Sequence, residues 1–220
     1  MVSDPTTPLP GNPRHGVRQE LRERMRAHRA ALDARTRAEA GLRMAGRLAE
    51  LPALACARRL AGYFACAGEL PLHAVPGLCR ERGIEYLLPV LRRGRVMRFA
   101  PWRPGAVLAS NRYGIPEPQV PEAALRAARH LDLVLVPLLA FSRDGLRLGS
   151  GGGFYDASFA FLRTQARPAR PWLCGVAYAC QEVDCGHPAL AAQPWDVRLD
   201  AVLTECETIL CPPEPTCTTG

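Results

Sequence analysis

The stretch Leu146-Arg147-Leu148-Gly149-Ser150-Gly151-Gly152-Gly153-Phe154-Tyr155-Asp156 concentrates residue types that could handle an anion. Four of the five positions 149–153 are glycine, so a backbone lacking β-carbons can approach a ligand closely. A loop of this kind that opens a helix offers unpaired N–H donors and the positive end of the helix dipole. Arg147 adds a planar fork of donors that matches phosphate. Asp156, directly after the loop, reads as a helix N-cap or as a Mg²⁺ ligand beside nucleotide phosphates. The dinucleotide fingerprint Gly-x-Gly-x-x-Gly would need glycine at 154, where Phe154 stands. A flexible linker is the bland alternative, and the flanking arginine and aromatic residues argue against it.

A second basic feature precedes this loop. Arg18 and Arg22 are four apart and so share one face of a helix. Leu21, Met25 and Leu32 form a neighbouring apolar stripe, which aims the two guanidiniums toward the glycine loop. Arg24 and Arg26 then read as ordinary surface residues.

The elements that position these groups follow from periodicity. Residues 1–16, with prolines at 5, 8, 10 and 13, predict a disordered leader. Helical spacing runs from Val17 to about Leu51, with a break at Asp33. Strands are expected at 59–64, 85–89, 96–102, 131–138, 173–179 and 200–204, and helices at 72–81 and 156–163. The second and third strands suggest a hairpin through Arg92-Arg93-Gly94. Residues 103–121, rich in proline, read as a structured loop. Leu131–Leu138 is the most apolar run and predicts a central buried strand, followed by the glycine loop. This alternation implies an α/β fold: a three-layer α/β/α domain over 17–210 with a mainly parallel sheet and a phosphate loop after the central strand. Residues 211–220 are expected to form a flexible tail.

Composition narrows the chemistry further. The chain has 220 residues, 48% hydrophobic and 22% charged, which is globular usage. No apolar run of 18 residues exists and the N-terminus lacks a secretory h-region, so the expected setting is cytoplasmic, without a membrane. Lysine is absent, and all 28 basic residues are arginine. Walker A, Schiff-base and lysine general-base chemistry are therefore excluded. Net charge is +7, of which residues 1–60 supply +6 (12 Arg against 6 acids), which suits a nucleic acid, a small polyanion or a solvated Arg/Glu face. Nine cysteines show no Cys-x-x-Cys spacing and read as incidental thiols, with 174/180/185 the one cluster to check for metal.

The ordered set of segments resembles the 5-formyltetrahydrofolate cyclo-ligase (5,10-methenyltetrahydrofolate synthetase) family from about Arg18 to Glu205. Arg147-Leu148-Gly149-Ser150-Gly151-Gly152-Gly153-Phe154-Tyr155-Asp156 is similar to its glycine signature. Arg18-x-x-x-Arg22 resembles the family's basic pair, and Tyr63-Phe64 with Gly68-Glu69 its folate-side strand end. Asn111 to Pro118 is similar to its aromatic-x-Ile-Pro-x-Pro loop, Asp132 to Pro137 to the strand before the signature, and Asp196 to Glu205 to its C-terminal segment.

The resemblance implies ATP-dependent cyclisation of 5-formyltetrahydrofolate to 5,10-methenyltetrahydrofolate. It implies Arg18, Arg22 and residues 147–155 on ATP, and Phe64, Glu69, Tyr113 and residues 150–154 on folate. Asp156 and Asp196 would hold Mg²⁺, and Glu69, Arg147 and Tyr155 would serve catalysis. The partners would be these small molecules and no nucleic acid, with a monomer favoured. Departures are Arg18 for the usual lysine, Gly152 where some members carry lysine, Phe154 for a frequent tyrosine, and Trp195 where histidine is common. Read without the family, Glu69 has a solvated loop carboxylate as its alternative and Phe64 core packing, while the polar loop around Tyr113 argues against core packing there. Two other functions remain open at this point: a non-catalytic folate- or nucleotide-binding homologue, and an RNA-binding protein using the basic first helix.

Overall fold

A computed structural model describes residues 13–212 apart from 166 and 168, with the side chains of 13–15 also left out. Seven strands form the main sheet: β1 (Arg59–Ala61), β2 (Glu85–Leu91), β3 (Met97–Pro101), β4 (Leu133–Pro137), β5 (Trp172–Val176), β6 (Ala201–Leu203) and β7 (Thr208–Leu210). Their order is β7-β6-β5-β4-β1-β2-β3. The inner pairings are parallel, and β3 and β7 are antiparallel edges. The fold is thus α/β with a mainly parallel sheet, as the alternating pattern predicts.

β4 lies at the centre, and Leu133 to Val136 are fully buried. Side chains alternate across a pleated strand. Leu133 and Leu135 enter one core with Leu60, Tyr86 and Leu88, while Val134 and Val136 enter the other with Ala61, Leu87 and Phe99. Both faces of β4 are therefore covered, which explains its unbroken apolar run.

The two outer layers are unequal. Helix α2 (Ala34–Glu50), the single turn Pro52–Ala55 and α3 (Val75–Glu81) cover the first face. The second face carries only α4 (Phe154–Ser158), short 3-10 turns and loops. The expected helix 156–163 thus resolves into five α-helical residues and a 3-10 turn at Ala160–Thr164. The helix expected from Leu72 starts at Val75, with a proline in its first turn.

Helix α1 (Pro13–Ala31) begins four residues before the expected Val17, because a proline is tolerated at a helix start. The rest of the expected leader, 1–12, lies outside the described residues. Asp33 caps α2, accepting from the Thr36 amide at 2.7 Å, and so makes the expected break. Leu21 and Met25 of α1 pack on a two-stranded hairpin, Ala140–Phe141 with Arg147–Leu148, rather than on a face of the main sheet. The glycine loop therefore leaves this hairpin, not β4 directly.

Residues 103–121 contain a further small hairpin, Leu108–Ser110 with Pro116–Pro118, that proline content disguised. At the other end Cys211 is pinned, its amide donating to the Asp200 carbonyl at 2.9 Å; 213–220 lie outside the described residues.

Candidate functional site

From β1 the chain moves to β2 and β3 on one side, and from β4 to β5 and β6 on the other. The β1/β4 pair is the point where strand order reverses, and a crevice opens beyond the carboxyl ends of strands at such a point. Here it is a cleft of about 400 Å³. Its floor is Pro137 at the end of β4 with Tyr63 and Phe64 just beyond β1. One wall is the glycine loop, from Arg147 to Asp156. The opposite wall comes from Leu91 and Met97 and from the 111–117 loop.

The apolar side of the cleft is aromatic. Phe64 is half-buried and meets Trp102 edge-on, with ring centroids 5.6 Å apart, so it serves the core and the cleft together. Tyr113 is 56% exposed and meets Phe154 edge-on at 5.9 Å, with the Arg112 guanidinium 5.0 Å above its ring. Glu117 anchors this loop, accepting from the Leu91 amide at 2.9 Å and from Asn111 Nδ2 at 2.8 Å. Asn111 and Glu117 are thus structural partners of the cleft that periodicity did not distinguish; a paired amide and carboxylate six residues apart was their only signal.

Glu69 lines the same cleft. Its Oε2 accepts from the Cys66 amide at 3.1 Å, and burial pushes its carboxyl above the usual range. Burial, followed by the Glu69 charge, lifts the Cys66 thiol to about 11. Tyr155 stacks on Phe159 at 6.2 Å, and burial raises its hydroxyl well above the ordinary value.

The loop's backbone is strongly left-handed, with φ of 109° at Gly151 and 67° at Gly153. Only glycine takes the first of these conformations readily. A β-carbon on Gly152 would stand 2.9 Å from the Phe154 ring, so that aromatic fills the space a side chain at 152 would need. Leu148, expected on the nucleotide, turns inward with Leu21 and Met25, and its carbonyl accepts from the Leu139 amide at 2.7 Å. Gly153, not Asp156, is the N-cap. The helix it opens is only five residues long, so anion affinity here rests on arginines and loop amides more than on a dipole.

The charged groups converge behind the loop. Arg147 Nη2 donates to Asp156 Oδ1 at 2.6 Å, and its Nη1 to the Val197 carbonyl. The Val197 amide donates to the same Asp156 oxygen at 3.2 Å. Asp196, next in the chain, thereby sits beside Asp156. Burial first, and then the charge of Asp156, hold the Asp196 carboxyl above its ordinary value. The segment bearing Asp196 also borders a second cavity of about 440 Å³ between Leu162 and Trp172, so its side of the loop differs from the aromatic cleft.

Arg22 Nε donates to the Gly149 carbonyl at 3.0 Å, and burial lowers its pKa. Arg18 donates instead to the Ala189 and Ala191 carbonyls and lies 3.8 Å from Asp196. Of the two arginines on one helical face, Arg22 thus bonds the start of the loop and Arg18 the 189–196 segment. Arg24 is exposed and Arg26 partly so. Sequence reasoning missed Arg29, which is 2% exposed, reaches the Leu138 carbonyl at 3.4 Å and leaves Nε without a partner. Its position seven residues past Arg22, two helical turns along the same face, was a usable signal. Cys174 is buried and Cys180 and Cys185 exposed, and no group of three His, Cys, Asp or Glu that could hold a metal occurs among the described residues.

Residues 14–205 match the family described as the 5-formyltetrahydrofolate cyclo-ligase family. The chain belongs to this family. It is 32% identical to the 5-formyltetrahydrofolate cyclo-ligase of Escherichia coli K12 over 82% of this chain and 96% of that one. It is 31% identical to the enzyme of the same name from Haemophilus influenzae, over 84% and 96%. Its fold is similar to the NMR structure of Aquifex aeolicus 5,10-methenyltetrahydrofolate synthetase, with a TM-score of 0.72 at 25% identity over 88% of this chain and 92% of that one. In this chain the glycine signature and Asp156 line the cleft, Arg22 bonds the Gly149 carbonyl, and Asp196 lines the second cavity. No helix among the described residues is long and apolar enough to cross a membrane.

Proposed function

We propose that this cyclo-ligase family member is the enzyme that converts 5-formyltetrahydrofolate and ATP to 5,10-methenyltetrahydrofolate, ADP and phosphate. One observation carries the reading: an aromatic-sided cleft able to take a flat heterocycle has, as its other wall, a glycine loop backed by arginines. A heterocycle and a polyphosphate can therefore meet at residues 149–153.

In this reading the formyl oxygen on N5 attacks the γ-phosphorus, and ADP leaves. N10 then attacks the phosphorylated iminium carbon, closing the ring and losing its proton, and departure of phosphate from that carbon leaves the methenyl bridge. No covalent protein nucleophile is required; the protein positions two substrates and offsets charge. Arg18 and Arg22 flank the phosphates, and the loop amides face them. Phe64 and Tyr113 stack on the folate rings. Glu69, whose carboxyl burial makes more basic, hydrogen-bonds the pterin or N10. Tyr155 is a hydroxyl donor beside the loop.

Asp156 and Asp196 are two oxygen donors whose like charges already disfavour each other, which fits a divalent cation. Mg²⁺ held there would neutralise phosphate charge. The reading also proposes a monomeric, cytoplasmic enzyme working on small molecules. The test is ATP-dependent appearance of methenyltetrahydrofolate absorbance with the purified protein. Binding of both ligands without that product would favour the non-catalytic homologue instead.

A further inference from the structure

Three arginines on or near the glycine loop each hydrogen-bond the protein itself. Arg147 serves Asp156 and Val197, Arg22 serves Gly149, and Arg18 serves Ala189 and Ala191. Arg95, in the turn between β2 and β3, does not. A β-carbon placed on Gly153 would stand 3.6 Å from Arg95 Nη1, so this guanidinium hangs directly over the end of the loop. Among the described residues it has no hydrogen bond, ion pair or ring contact.

Its backbone is informative as well. Gly94 and Arg95 are consecutive left-handed residues, with φ of 75° and 62°. Glycine takes that region freely, and asparagine tolerates it. A long side chain there is held against its local preference, and such outliers persist where surrounding structure imposes them. The surroundings do so here. The Met97 amide donates to Ser158 Oγ of α4 at 2.9 Å, and Arg92 pairs with Glu122 at 2.7 Å. The first tie holds the turn against α4, the element that follows the glycine loop, and the second holds it to the turn at Glu122–Ala124. The loop, for its part, has no room for a cation at 152, where the Phe154 ring stands. A positive charge at this end of the loop has to come from across the cleft.

We propose that Arg95 is an oxyanion-binding arm of the site, closing over Gly153 so that its guanidinium contacts an anionic group seated on the loop. This rests on the cyclo-ligase reading, and two sources of oxyanion fit: a phosphoryl group of the nucleotide, or a glutamate carboxylate of the folate. The experiment compares Arg95→Asn, which suits the left-handed backbone, Arg95→Lys, which keeps the charge, and Arg93→Ala, a neighbouring exposed arginine, as a control. Equilibrium binding is read separately for ATP, inorganic phosphate, 5-formyltetrahydrofolate and its analogue lacking the glutamate, with thermal melting alongside.

Losing a charged hydrogen bond costs roughly tenfold or more in affinity. Arg95→Asn should weaken one ligand class by that factor and leave Tm no lower than wild type. Arg95→Lys should restore part of the loss, and Arg93→Ala should bind like wild type. Weaker ATP and phosphate binding identifies the nucleotide as the source. Weaker binding of the formylfolate but not of its glutamate-free analogue identifies the carboxylate. Unchanged binding of all four ligands in folded Arg95→Asn overturns the proposal, as does a lower Tm accompanying any loss. Absence of turnover in the wild type would overturn the cyclo-ligase reading alone, because the four binding measurements still decide the role of Arg95.

Discussion

Arg147 and Asp156, nine residues apart, close the glycine loop into a ring: Nη2 donates to Oδ1 at 2.6 Å, with the arginine side chain 6% exposed and the aspartate 27%. The Val197 amide and carbonyl stitch this pair to the segment bearing Asp196. One ion pair therefore shapes the loop and ties it to the segment that carries Asp196. Asp196→Asn keeps an acceptor for the Gln193 amide, 2.9 Å away, and should leave the fold intact. It should raise the Mg²⁺ concentration needed for half-maximal ATP binding by about tenfold or more. A magnesium titration of ATP binding checks this, and an unchanged midpoint would make Asp196 purely structural.

Gly151 tests the loop itself. At φ 109° a β-branched residue is strained, and its side chain would project toward Arg22, whose Cζ is 4.0 Å from that β-carbon position. Gly151 is exposed, so little packing depends on it. Gly151→Val should abolish measurable ATP binding while far-UV circular dichroism stays native. Full ATP affinity in the folded variant would move the phosphates off this loop.

The basic helix separates specific from diffuse electrostatics. Arg22→Ala removes the guanidinium on the Gly149 carbonyl. It should weaken ATP binding by about 10- to 150-fold and leave folate binding nearly unchanged. Arg26→Ala should change either affinity less than threefold by the same titration calorimetry. Equal losses from both substitutions would point to a spread positive field, and with it to a nucleic-acid partner.

A pH effect on stability should come from Asp200, away from the cleft. Its Oδ2 accepts from the Leu173 amide at 2.8 Å and faces Arg167 at 3.4 Å, yet burial lifts its carboxyl to about 6. The folded state then holds this proton more tightly than the unfolded chain, whose aspartates titrate near 3.9. The associated stabilisation is complete below about pH 4 and is lost as pH rises through 6, an upper bound of about 3 kcal/mol. Urea unfolding of wild type and Asp200→Asn should show their stability difference shrinking over that interval and flat above pH 7. A difference that grows with pH would mean that Arg167 outweighs burial.

The mainly parallel sheet, its central strand and the break at Asp33 were legible in the sequence for local reasons. An apolar run covered on both faces, glycine spacing and a capping aspartate at 33 are properties of neighbouring residues. The same locality explains the errors. Proline density disguised the 108–118 hairpin, because edge strands tolerate proline where central ones do not. The unequal outer layers and the five-residue α4 depend on how much surface remains over β2 and β4 once α1 has packed on the 140–148 hairpin, and periodicity carries no such information.

Residue type and order determined by themselves which groups could act: a lysine-free chain with a basic helix, a glycine loop and two aspartates forty positions apart. Tertiary structure alone decided how those groups divide. Arg22 went to the start of the loop and Arg18 to the 189–196 segment, Leu148 turned into the core, and the segment bearing Asp196 was tied to Asp156 through the amide of Val197. It also decided that the free guanidinium over Gly153 is Arg95, which arrives from a different strand pair. Such pairings join residues tens of positions apart. Which of them form is set by the packing of whole elements, a long-range outcome that no local pattern encodes.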